Sequence, residues 1–163
     1  MNEGAPPSLV KTRRKGPAAG SQLRLTHFAT VGYNGEMKEQ TRDNLTTAMH
    51  GEAFAYAKYM LFAQHARGNG NVELADLFEK TAHVEFFEHF AEEAQLAGLV
   101  ADDLENLRAA IAGEDYEVTQ MYKTFAEEAA KAGDADAAAR FNEVRGDETA
   151  HRAAFEAMLA KLQ

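Results

Sequence analysis

The sequence predicts an all-α protein built as a four-helix bundle, and three observations carry that prediction. Apolar residues recur at three- and four-residue steps through four long stretches, glycine-bearing breaks separate those stretches, and no alternating strand pattern competes with them. The fourth stretch shows the pattern well: Phe141, Val144, Phe155, Met158 and Leu162 form one stripe, and Glu148 and His151 interrupt it at mid-height. A carboxylate and an imidazole three residues apart share a helix face, and burying them bare costs several kcal/mol unless something satisfies them. A metal ion does so.

The elements follow in order. Residues 1–40 contain all three prolines, several glycines and the basic run Lys11 to Lys15, with no sustained period, and read as a flexible basic segment preceding a bundle over 41–163. Helix 1 is expected after Thr41 as N-cap, ending at Gly68-Asn69-Gly70. Along it Leu45, Met49, Tyr56, Tyr59 and Ala63 keep helical spacing, with Glu52 among them. Helix 2 is expected from the Asn71 cap to about Ala97, stopped by Gly98, with Glu85 and Glu88 inside its stripe. Helix 3 is expected from the Asp102 cap to about Ala132 before Gly133, carrying Glu114 and Glu117 between Ile111 and Val118. Helix 4 begins at Asp134. All four helices therefore place acid at mid-height on an inward stripe.

Composition narrows the chemistry. Cysteine is absent, which excludes disulfides, thiolate ligands, iron-sulfur centres and a cysteine nucleophile from these 163 residues. The net charge of -9 is unevenly spread: residues 1–24 hold five basic residues against Glu3, or +4, leaving -13 for the remainder. An acidic body argues against nucleic acid as partner. No apolar run approaches the roughly 20 residues of a membrane span and no signal-peptide pattern is present, so no membrane association and a cytoplasmic location are expected.

In ferritin-like di-iron and di-manganese proteins one Glu comes from each of two helices and a Glu-x-x-His from each of the other two. Glu52 and Glu114 suit the single acids, Glu148 with His151 one pair, and Glu85 the start of the second. Two divalent ions a few Å apart need bridging carboxylates, for which Glu85 and Glu148 are placed, and hard oxygen ligands with imidazole favour iron or manganese. The segments Gly51-Glu52, Asp76 to His89, Ala112 to Tyr122 and Glu148-Thr149-Ala150-His151 resemble the di-iron domain of rubrerythrin over residues 41–163.

That resemblance implies a ferritin-like bundle and a non-haem di-iron peroxidase that reduces hydrogen peroxide to water. The electrons would come from an external donor protein, because no rubredoxin-type domain is visible in the sequence. It further implies metal positions at Glu52, Glu85, Glu88, Glu114, Glu117, Glu148 and His151. Glu117 is the extra carboxylate of the oxidised state, and Tyr59 and Tyr122 are tyrosines that orient the carboxylates. The cofactor is expected to be two iron ions, with manganese or a mixed pair as the alternative, and a role in oxidative stress follows. An oxygen-activating oxidase or oxygenase, with Ala55, Phe87 and Val118 shaping a pocket, and ferritin-like iron handling are the competing readings.

Helix 2 departs from the family pattern. At the third residue after Glu85 stands Glu88, and the histidine comes one later, His89; helix geometry allows either as ligand. The connection between helices 2 and 3 adds an expectation about assembly. A ferritin-like fold needs a crossover of about 30 Å there, whereas residues 98–102 reach about 17 Å when extended. A domain-swapped homodimer, helices 1 and 2 of one chain completing a bundle with helices 3 and 4 of the other, is therefore expected.

Overall fold

A computed structural model of the chain describes residues 37–163; of the flexible segment expected at 1–40, residues 1–36 lie outside them, and Glu39 and Gln40 already belong to the first helix. Among the described residues all regular structure is helical. Helix α1 spans Glu39–Gly68. Helix α2 covers residues 72–97 as an α-helical stretch Val72–Val84, a π-helical turn Glu85–Phe90 and a final α-helical stretch Ala91–Ala97. Helix α3 covers 103–132 in the same way, with a π-helical turn at Glu117–Met121 between Asp103–Tyr116 and Tyr122–Ala132. Helix α4 spans Ala135–Leu162.

The boundaries follow from local chemistry. The Asn71 side chain accepts from the Leu74 amide and the Asp102 side chain from the Glu105 amide, so α2 and α3 each start on a side-chain cap. Gly98 and Gly133 adopt φ of 68° and 88°, left-handed conformations that let the chain leave the helix while its last carbonyls are still bonded. Helix α1 begins at Glu39 on Lys38, two residues before the expected cap at Thr41. No side-chain cap forms there: Thr41 is itself helical, and Thr46 and Thr47 bond back to the carbonyls of Arg42 and Asp43.

Helix α1 packs along α2, and α3 along α4, as two antiparallel hairpins. Small residues let the axes approach closely, with Ala63, Ala66, Ala75 and Ala82 buried between α1 and α2, and Ala126 and Ala138 between α3 and α4. Aromatic rings fill the flanks. Tyr59 and Phe62 meet Phe78 at 6.1 and 5.4 Å in the first hairpin, and Tyr122 and Phe125 meet Phe141 at 6.3 and 5.7 Å in the second. Arg67 clamps the tip of the first hairpin through Asp76 and Glu79 at 3.1 and 2.6 Å. Among the described residues no large side chain is fully buried within the chain. The helices of one hairpin do not reach packing distance of the other.

Ala75 is fully buried between α1 and α2, so a larger side chain there must push the axes apart. Ala75→Leu is expected to destabilise the protein by about 1–3 kcal/mol, read as a lowered midpoint in thermal circular dichroism.

Candidate metal centre

Each hairpin brings two carboxylates and one imidazole together. In the first, Glu52 of α1 meets Glu85 and His89 of α2; in the second, Glu114 of α3 meets Glu148 and His151 of α4, and within each trio one ligand atom per residue lies within 4.8 Å of the others. The two trios match closely. His89 Nδ1 lies 2.9 Å from Glu85 and 3.8 Å from Glu52, while His151 Nδ1 lies 2.6 Å from Glu148 and 4.0 Å from Glu114. The chain thus carries two half-sites of one design.

The π turns set these positions. In α2 the turn begins at Glu85, and its wider winding keeps His89, four residues on, beside Glu85. Glu88 is exposed and stands outside the trio. In α4 the helix stays α-helical and the three-residue spacing of Glu148 and His151 suffices. In α3 the π turn begins at Glu117, which is half-buried three residues after Glu114 but outside the second trio. This turn places Tyr122 eight residues after Glu114, where Tyr59 follows Glu52 by seven. Arg145 of α4 donates its Nε to the Val118 carbonyl inside the turn at 2.7 Å, supplying a partner where the α-helical ladder is interrupted. Tyr59 and Tyr122 are both half-buried among rings, and no protein group among the described residues accepts from their hydroxyls.

The electrostatics are those of like charges held side by side within each trio. Glu52 has its pKa raised by the hydrogen bond to Glu85, by partial burial and by the Glu85 charge. Glu114 is raised by burial first and then by Glu148. Its Oε2 is buried with no hydrogen-bond partner, and a divalent ion is the natural partner for such an oxygen beside an imidazole. His151 is raised by its bond to Glu148; at His89 partial burial opposes the charged ring but is outweighed by Glu85 and Glu52. Tyr122 is raised by burial and by the charges of Glu117 and Glu148, which places its hydroxyl within the field of the second half-site.

One carboxylate was not foreseen from the pattern. Glu93, one turn beyond His89, holds a buried Oε2 without a partner and adds negative charge at Glu52. Its position four residues after His89 is the signal that reveals it.

Paired carboxylate-imidazole half-sites on helical hairpins define a ferritin-like helical-bundle protein with a di-metal donor set. The rubrerythrin family model matches residues 43–159. The rubrerythrin of Porphyromonas gingivalis is 35% identical over 136 residues, covering 76% of this chain and 68% of that protein. That of Nitratidesulfovibrio vulgaris is 34% identical over 128 residues, covering 71% and 67%. A solved structure of nigerythrin in its fully reduced, all-ferrous state aligns over 92% of this chain and 81% of its own, at 28% identity and a TM-score of 0.38. On the sequence matches, the chain belongs to the rubrerythrin family. Among the described residues no helix is long and apolar enough to cross a membrane.

The raised values fix the pH response of the metal-free protein. Folded Glu52 and Glu114 titrate above the usual 4.5, and folded His89 and His151 above the usual 6.5. The folded state therefore holds protons that the unfolded state has released. Their stabilising contribution is complete below the ordinary values and is lost as pH rises through the raised ones. Metal-free protein is expected to melt at lower temperature at about pH 8 than at about pH 6, and the stabilisation by added metal to grow over the same interval, both read by calorimetry.

Proposed function

We propose that the chain is a non-haem di-iron oxidoreductase that reduces hydrogen peroxide to two waters, taking two electrons and two protons. What supports this reading most is the matched pair of half-sites, four carboxylates and two imidazoles in all, in a member of the rubrerythrin family. Bound between these residues, a pair of ferrous ions would supply the two electrons, to be returned by an external donor. Hard carboxylate oxygens with imidazole suit iron, with manganese or a mixed pair the alternative.

The residues divide the work. Glu85 and Glu148, each beside the imidazole of its own trio, would serve as carboxylates shared by the two metals. Glu52, Glu114, His89 and His151 would supply the remaining donors. His89, which the π turn keeps beside Glu85, would act as donor in place of Glu88. Glu117, half-buried in the α3 turn, would be the further carboxylate available to a more oxidised centre. Tyr122, whose hydroxyl is held protonated by burial and by Glu117 and Glu148, would pass a proton toward the site. Tyr59 has the corresponding place after Glu52.

The test is stopped-flow absorbance on anaerobic di-ferrous protein. Oxidation by peroxide is expected to outrun oxidation by oxygen by about a hundredfold or more, near 3 kcal/mol in barrier; a faster reaction with oxygen contradicts the proposal and favours an oxidase. Tyr122→Phe is expected to slow the peroxide reaction by about 10- to 100-fold with metal content unchanged. His89→Ala is expected to lower the metal content and Glu88→Ala to leave it intact, as measured by elemental analysis.

A further inference from the structure

The two half-sites are open on one side and do not meet within the chain. His89 and His151 remain 52% and 58% exposed, while the acids behind them, Glu85 and Glu148, are only 15% and 16% exposed. Inward-stripe residues around them are also uncovered: Leu96 is 45% exposed, Phe125 41% and Met158 45%. An amphipathic hairpin must bury such a stripe against another element, and neither hairpin of this chain covers the other.

The connection explains why. Ferritin-like bundles have one long crossover connection, and bringing Glu85 and Glu114 level on parallel α2 and α3 requires the chain to travel about 34 Å from the end of α2 to the start of α3. From Ala97 to Asp103 the backbone reaches about 21 Å even fully extended. Nor is the connection slack. Gly98 closes α2 in the left-handed conformation, with the Leu99 amide bonded to the Ala94 carbonyl. Asn106 grips Ala101 twice, accepting from its amide and donating to its carbonyl, both at 2.9 Å. The Asp102 side chain caps α3 at 2.8 Å. Lengthening the connection by unwinding either helix end breaks this set of bonds.

From these observations we infer that the occupant of each open face is the complementary hairpin of a second copy of this chain. Helices α1 and α2 of one protomer close on α3 and α4 of its partner, and the twofold arrangement yields two bundles per dimer. Every metal centre is then built between subunits, with Glu52, Glu85 and His89 from one chain and Glu114, Glu148 and His151 from the other. The inference rests on the di-metal reading of the half-sites and not on the reaction proposed for them.

Two variants test it by complementation. Glu52→Ala/Glu85→Ala removes the carboxylates of the first half-site, and Glu114→Ala/Glu148→Ala those of the second. Each alone has no intact centre in any assembly. Refolded together with different affinity tags, the exchanged arrangement puts both damaged halves in one bundle and both intact halves in the other. The purified mixed dimer, loaded anaerobically with ferrous iron, is expected to recover half the wild-type iron content. Mixed dimers that recover no iron, or a failure of the two chains to pair, overturn the inference. Light scattering on wild-type protein gives a second readout independent of the substitutions: a dimer is expected, and a monomer carrying two iron ions refutes it. Recovered iron without peroxide reactivity leaves this inference standing and removes the proposed reaction.

Discussion

Two carboxylates held against each other with an imidazole at their edge constitute the interaction on which this structure depends. Glu52 stands against Glu85, and Glu114 against Glu148, and the neighbouring acid together with partial burial raises the pKa of Glu52 and of Glu114. A helix pair whose only task was stability would replace them with apolar side chains, and the rest of the stripe is apolar. Holding like charges together at mid-height costs stability in the metal-free protein and stores affinity for a divalent pair, since metal binding displaces the protons these acids retain. The alanine-lined approach of the helices serves the same end. It fixes each acid opposite its partner with little freedom to swing away.

The two π turns are the devices that adjust this arrangement. Each introduces one residue into an otherwise α-helical register, and each opens at an acid of the charged layer: Glu85 in α2, and Glu117 in α3. In α2 the consequence is that a Glu-x-x-x-His sequence presents its acid and imidazole much as Glu-x-x-His does in α4. In α3 it inserts a residue between Glu114 and Tyr122 and places Glu117 beside the second half-site. Such turns cost helix stability, and their concentration at the charged layer, with Arg145 supplying a partner for the Val118 carbonyl, ties them to the site.

Most of the secondary structure was legible because its causes are local. Asn71, Gly98, Asp102 and Gly133 act through their own backbone geometry and side chains, so helix ends at α2, α3 and the start of α4 could be read from residue type and spacing. The six residues of the two trios were also visible as acids and histidines interrupting apolar stripes, except that Glu88 and His89 could not be separated. An α-helical wheel places both near Glu85, and only the π turn breaks the tie. The clue was present as a one-residue discrepancy: four against three to the histidine, and eight against seven to the tyrosine. Glu93 was overlooked because an acid flanked by Glu92 reads as solvated surface, whereas its oxygen is buried. The start of α1 was misplaced because Thr41 has the right chemistry for a cap but a helical backbone.

The account requires the two half-sites to meet and hold their metals as one centre. X-ray absorption at the iron edge on anaerobically loaded wild-type protein measures that directly. The account predicts oxygen and nitrogen neighbours together with an iron-iron scattering shell at about 3.5–4 Å. Iron bound with the same light-atom neighbours and no metal-metal shell would mean two isolated three-ligand sites, and would contradict it.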